Sequence, residues 1–211
     1  MVVHDLAKIE ARVRFSCPAP ETNYYLIRFH MIDGEEKLIK GAIRGESSAF
    51  GQLYSHYQPK IYRFVYLKVG HREEAEDITH QVFLNAWQKI ESYKFKELPF
   101  GAWVYRIARN RIIDHYRTKK NNLSLDGNEL LRDSLKSDTK IDQEIDFSLN
   151  VEKIKTAIKS LKPEQQDVIV LRFIEELSIK EVSSIVKKSQ IAVKLIQHRA
   201  VKDLKRIMED K

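Results

Sequence analysis

From Glu35 onward apolar residues recur at three- and four-residue steps, a spacing that predicts helices with one buried side each. Phe50, Leu53, Tyr54, Tyr57, Ile61, Phe64 and Val65 mark the inner side of the first such run, with Pro59 expected to start a fresh turn or kink it. Gly45-Glu46-Ser47-Ser48 ahead of it reads as a break with capping residues. Ile78, Val82, Phe83, Ala86, Trp87 and Ile90 predict a second helix. After a loop from Tyr93 to Pro99 a third places Trp103, Ile107 and Ile113 inward, with Phe100 in the core, and leaves Arg106, Arg109, Asn110, Arg111 and Arg117 on its other faces.

From Asn121 to Asn150 the pattern lapses. Ser, Asp, Asn and Gly dominate, too little apolar area is available to offset chain entropy, and a flexible, mildly acidic linker is expected. Helical spacing resumes with Ile154, Ala157, Ile158 and Leu161. Lys162-Pro163-Glu164 restarts the chain with proline at an early helical position, and Val168, Ile169, Leu171 and Phe173 are expected to bury the next helix. Ser178-Ile179-Lys180-Glu181 is a capping box. It opens a short helix buried through Val182, Ile185 and Val186. Lys187-Lys188 then turns the chain, and Ser189 caps a basic helix carrying Val193, Ile196 or Gln197, Ala200, Leu204 and Ile207. Two short helices about a tight turn are the pattern of a helix-turn-helix. The expected architecture is all-α: an N-terminal extension without assigned role (1–34), in which Tyr24 to Phe29 has strand-like composition; a helical domain (35–118); a flexible linker (119–150); and a second helical domain (151–211).

Composition sharpens this. Among 211 residues the formal charge is +7, which favours a polyanionic partner through counterion release and also fits an anionic membrane surface or an acidic protein. Cys17 is the only cysteine, so neither an internal disulfide nor a cysteine-ligated metal is available, and a reducing compartment is expected. No run approaches the apolar length of a membrane span, and Met1 to Arg14 does not build a signal-peptide core, so a cytoplasmic protein without membrane insertion is expected. Nothing suggests bond-making. Glu73, Glu74, Glu76 and Asp77 read as a solvated, acidic helix start. Gly41 to Ser47 is one residue short of a phosphate loop and has glutamate where lysine must stand. No nucleophile has a base partner, so no catalytic residue, metal or cofactor is expected.

The order D-I-T-H-Q-V-F-L-N-A-W, then F-x-x-W-V-Y-R-I-A-R-N-R-I-I-D-H-Y-R, resembles the second domain of bacterial sigma factors of the extracytoplasmic-function (ECF) group, from about Gly45 to Arg117. L-K-P-E-Q-Q-x-V-x-x-L-R-F and the helix-turn-helix after it resemble their fourth domain, so the likeness covers most of the chain. The resemblance implies a specificity subunit that binds core RNA polymerase through the largest-subunit clamp and the flap, directs it to promoter DNA, and is held by an anti-sigma factor. Asp77, His80, Gln81 and Asn85 would meet the clamp, with His80-Gln81 replacing the usual Q-E pair and removing one negative charge. Asn110 and the Tyr93 to Pro99 loop, with Tyr93, Lys94, Phe95 and Lys96, would hold a base flipped from the minus-ten strand, Asn110 offering both donor and acceptor. Arg106, Arg109, Arg111 and Arg117 would pair with phosphates. Ser189, Lys194, His198, Arg199 and Lys202 would meet the minus-thirty-five element. Ile191, Leu195 and Ile196 depart from the family there and predict an unusual upstream preference, since apolar side chains can touch a thymine methyl but cannot read guanine. The residues alone also fit a stand-alone dimeric helix-turn-helix regulator; a nucleic-acid-processing enzyme would need a metal cluster or catalytic pair that the sequence lacks.

Overall fold

Leu53, Tyr57, Ile61, Phe64 and Val65 form the inner face of one continuous helix. The structure, a computed structural model, describes residues 32–94, 98–126 and 156–209, with 120–126 as backbone alone. The extension before residue 32, the linker from 127 onward and Ile154 therefore lie outside the described residues. Two compact units are present. The first comprises α1 (Glu35–Ile43), α2 (Ser47–Val69), α3 (Arg72–Lys89), a 3-10 turn (Ile90–Ser92) and α4 (Phe100–Asp126). The second comprises α5 (Pro163–Ile169), a π-helical turn (Val170–Ile174), α6 (Ile179–Val186) and α7 (Gln190–Glu209). Every described element is helical, as the apolar spacing predicts.

Pro59 neither starts a helix nor divides one; it sits inside α2. Its missing N–H deprives the Ser55 carbonyl of a helical partner, but both residues are exposed, on the solvent side of the helix. Gly70 ends α2 in the left-handed conformation (φ 82°), which suits glycine, and its N–H donates to the Tyr66 carbonyl. The chain reverses there. Phe50 meets Trp87 and Tyr54 meets Phe83, each at 4.8 Å between ring centroids, so α2 and α3 run antiparallel. Tyr57 meets Phe100 and Phe64 meets Tyr105, each at 5.5 Å, so α2 and α4 run parallel.

On α4 the inner stripe is Phe100, Val104, Tyr105, Ala108 and Ile112. Ile112 is 1% exposed and Ile113 45%, so the expected inward Ile113 is corrected to its neighbour, and Ile107 is only half-buried. In place of the expected line of Trp103, Ile107 and Ile113, the packing follows four-residue steps from Phe100 through Val104 and Ala108 to Ile112. The same helix continues to Asp126, eight residues into the expected linker. Once nucleated, each added residue contributes a hydrogen bond without a new nucleation cost, so a polar tail prolongs a helix that it would not start.

The far part of α4 is tied back to the end of α2 and the start of α3. Glu74 accepts from Lys119 Nζ at 3.0 Å and lies 3.2 Å from His115 Nε2, while the Tyr116 hydroxyl donates to the Lys68 carbonyl at 2.8 Å. Burial pushes the Glu74 carboxyl up, but the Lys119 hydrogen bond and charge, with His115 and His71, outweigh it and hold the group below its ordinary value.

In the second unit α5 starts with Pro163, and the Lys162 N–H donates to Gln165 Oε1 at 3.1 Å. The widened turn that follows leaves Phe173 half-buried, whereas Val168, Ile169 and Leu171 enter the core as expected. The capping box of α6 is complete: Glu181 N–H donates to Ser178 Oγ at 3.2 Å and Ser178 N–H to Glu181 Oε2 at 2.8 Å. Lys187, at φ 54°, makes the turn into α7. The inner line of α7 is Val193, Gln197, Ala200 and Leu204, which decides for Gln197 over Ile196.

A depressed carboxyl pKa contributes stability that is complete above the unfolded value and lost as pH falls through the folded one. Glu74→Gln should therefore lower the stability of the first unit at neutral pH by roughly 0.2–1 kcal/mol, the range for a partly exposed pair. The difference from wild type should close as the pH falls below 4.5, the ordinary carboxyl value. Urea unfolding across pH checks this, read by Trp87 and Trp103, the chain's two tryptophans.

Candidate nucleic-acid interface

At about 100° per residue, Arg106, Asn110, Ile113 and Arg117 fall on one line along the outward side of α4. Asn110, Ile113 and Arg117 are exposed and Arg106 half-buried. Arg109 flanks this line on one side. Arg111 lies toward the opposite flank, so the structure gathers three of the four expected arginines about Asn110 and sets Arg111 apart. Lys94 is exposed. Phe95 and Lys96 lie outside the described residues.

Tyr93 is not where a base-stacking residue would stand. It is 6% exposed, its ring packs against Phe100 (5.6 Å) and Trp103 (5.0 Å), and its hydroxyl donates to the Leu98 carbonyl at 2.6 Å. The sequence expectation of Tyr93 as a contact residue is corrected: an apolar core beside it, with one carbonyl in reach of the hydroxyl, draws the ring inward. Its place is to pin the two ends of the loop. Phe100, expected in the core, is fully buried.

On α3, Asp77, His80 and Gln81 are exposed, and Asn85 is half-buried with its amide donating to the Gln81 carbonyl at 2.7 Å. Leu84 stands among them, 58% exposed. It was missed in the sequence, although an apolar residue out of step with Val82, Phe83 and Ala86 was the available signal.

The outward side of α7 is cationic at its edges. Lys194, His198, Arg199 and Lys202 are all exposed, as is Ser189, whose hydroxyl accepts the Ala192 N–H at 3.2 Å and so serves as the cap. Ile191 and Leu195 are 80% and 49% exposed. Behind the helix, Arg172 donates to the Leu177 carbonyl and, at 3.3 Å, to Gln197 Oε1. Burial lowers the guanidinium pKa, against the charge of Glu181. Arg172 thus braces α7 from the π-helical turn, a role unread in the sequence because its partner is 25 residues on. Among the described residues no group of His, Cys, Asp or Glu could hold a metal, and no helix is long and apolar enough to cross a membrane.

Sigma-70 region 2 matches residues 53–122 and Sigma-70 region 4 matches residues 157–206. SigW of Bacillus subtilis, an ECF RNA polymerase sigma factor, is 33% identical over 83% of this chain and 97% of its own length. The chain belongs to the ECF sigma factors. Like them it is a transcription initiation factor that binds core RNA polymerase and directs it to promoters. BldN of Streptomyces coelicolor, another ECF sigma factor, is 34% identical over 82% of this chain, which spans 66% of BldN's length. The fold is also that of CnrH in complex with the cytosolic domain of CnrY, with a TM-score of 0.66 at 21% identity over 84% of this chain and 99% of that one. The sigma factor RpoE of Bartonella quintana, in complex with the anti-sigma factor NepR, gives 0.65 at 21% identity over 76% and 96%.

Tyr93→Phe removes only the hydroxyl that bonds the Leu98 carbonyl. It should cost about 1 kcal/mol, the net value of one buried hydrogen bond, in the urea unfolding of the first unit followed by tryptophan fluorescence.

Proposed function

We propose that this ECF sigma factor divides its contacts with core enzyme and promoter among three helix faces. The α3 face of Asp77, His80, Gln81 and Asn85 docks on the polymerase clamp, with Leu84 supplying an apolar contact at its centre. The α4 face opens the minus-ten region: Asn110 reads the edge of a base drawn from the stack, Arg106, Arg109 and Arg117 hold the backbone about it, and Arg111 meets phosphate on the flank. Lys94 and Lys96 add charge at the loop. With Tyr93 and Phe100 in the core, Phe95 is the remaining aromatic of the loop for stacking. On α7, Lys194, His198, Arg199 and Lys202 meet the upstream duplex, with Ser189 setting the start of the helix.

The observation that carries this reading is that Asn110 sits exposed on a line with Arg106 and Arg117, on a helix whose opposite side is fully packed. A group with donor and acceptor, ringed by cations and held on a rigid element, suits a base edge beside a phosphate backbone. The contacts are binding contacts without a chemical step, and the protein acts in the cytoplasm, where its polymerase is. An anti-sigma factor that covers the DNA-binding faces is the natural regulator, as NepR accompanies RpoE in the Bartonella quintana complex. A dimeric regulator independent of polymerase is not favoured. The deciding experiment is run-off transcription on genomic fragments with core enzyme, with and without this chain; absence of any dependent transcript rejects the reading.

Asn110→Ala should lower initiation at such promoters by about ten- to a hundredfold, the range for one base-edge contact, while binding of core enzyme in a filtration assay stays unchanged. Arg199→Ala should weaken holoenzyme binding to the upstream element. It should also reduce by about 1 the slope of log affinity against log salt, as expected for one lost phosphate contact in a salt titration.

A further inference from the structure

Going around α7 at about 100° per residue, Ile191, Leu195, His198 and Lys202 fall on the central outward line, with Lys194 on one flank and Arg199 on the other. All six are exposed. Over the leading turns the order across the helix is thus cation, apolar, cation, and His198 and Lys202 continue the central line. A helix lying in a major groove turns its central line to the base edges and its flanks to the two phosphate strands. Lys194 and Arg199 suit those strands. Ile191 and Leu195, 80% and 49% exposed, have neither donor nor acceptor and occupy the part of the surface aimed at the bases.

Resting on the reading of α7 as the groove helix, we propose that Ile191 and Leu195 are specificity residues that select thymines in the upstream promoter element by contact with their 5-methyl groups. The methyl of thymine is the one apolar feature of the major-groove edge. Any other base would press an amino, carbonyl or ring-nitrogen group against an aliphatic side chain and leave it desolvated without a partner. Four residues of helix rise about 6 Å and one base step about 3.4 Å, so the two methyls belong to base pairs one or two steps apart. His198, next along the line, is the polar reader beside them. The cations on both flanks favour DNA over a protein ridge as the occupant of this face.

The test uses holoenzyme made from core polymerase and the full chain. It is first allowed to select from a promoter library in which only the upstream block is randomised. The preferred duplex is then remade with each thymine in turn replaced by deoxyuridine, which removes the methyl and nothing else. Thymine should be enriched at two positions one or two steps apart, and uracil at either should weaken holoenzyme binding roughly fourfold, the value of one buried methyl group. The doubly substituted Ile191→Ala, Leu195→Ala chain, altered only at exposed positions, should bind both duplexes alike. No thymine enrichment, no uracil penalty, or an equal penalty with the double variant overturns the proposal; so does unchanged selection by that variant, the result if the apolar pair serves a protein partner instead. Arg199→Ala run alongside separates the failures. If it leaves binding to the selected duplex unchanged, the groove placement itself is wrong. If it weakens binding while uracil has no effect, the helix lies in the groove and only the methyl contact is wrong.

Discussion

The ring of Tyr57 lies so close to the α4 backbone at Gly101 that a Cβ there would come within 2.7 Å of Tyr57 Cε1. That approach sets the spacing between α2 and α4, and the rest of the first unit follows from it. Tyr57 is 2% exposed and packs on Phe100, which in turn packs on Tyr93 and Trp103. The loop is therefore anchored through the same aromatic cluster that positions the first turn of α4. Asn110 stands nine residues, two and a half turns, beyond Gly101 on that helix, and its direction is inherited from the contact. Close packing of this kind is stiff: side chains that fill the space to crystal-like density have few alternative arrangements.

Much of this was legible in the chain. The 3.6-residue period revealed the inner faces of α2, α3, α6 and α7, and the Ser178 to Glu181 capping box named its own hydrogen bonds. These features depend on residues close in sequence. What was hidden depends on distant partners. Ile112 and Ile113 are the same residue type side by side, and the helices packed against α4 choose between them. Tyr93 has the composition of a loop aromatic, and only the neighbouring Phe100 and Trp103 draw it inside. Pro59 locally argues for a break, yet the packing of Leu53 and Tyr57 before it and Ile61 and Phe64 after it on one face holds the helix whole. Of the candidate interface, the charges were visible as charges. Which of them face away from the core was not, because that depends on whether Ile112 or Ile113 is turned inward, and distant helices decide it.

The two units use exposed apolar side chains in a similar way. Leu84 on α3 and Ile191 and Leu195 on α7 each sit at the centre of a polar or charged outward face. Single exposed apolar residues are ordinary on protein surfaces. Placed at the centre of a charged face, however, they supply contact area that ions cannot, while the charges around them provide attraction at longer range and fix orientation.

The helix α7 is about 30 Å long, and only its leading turns carry Ile191 and Leu195. Its trailing half is gripped elsewhere: the Gln165 amide donates to Asp203 Oδ2 at 2.7 Å while its oxygen accepts the Lys162 N–H, a fixed polarity that leaves the amide no freedom to flip. With Arg172 bonded to Gln197 midway and Val193 buried near the leading turn, the rod is held along its length, and its outward line keeps one fixed bearing on α5 and the π-helical turn.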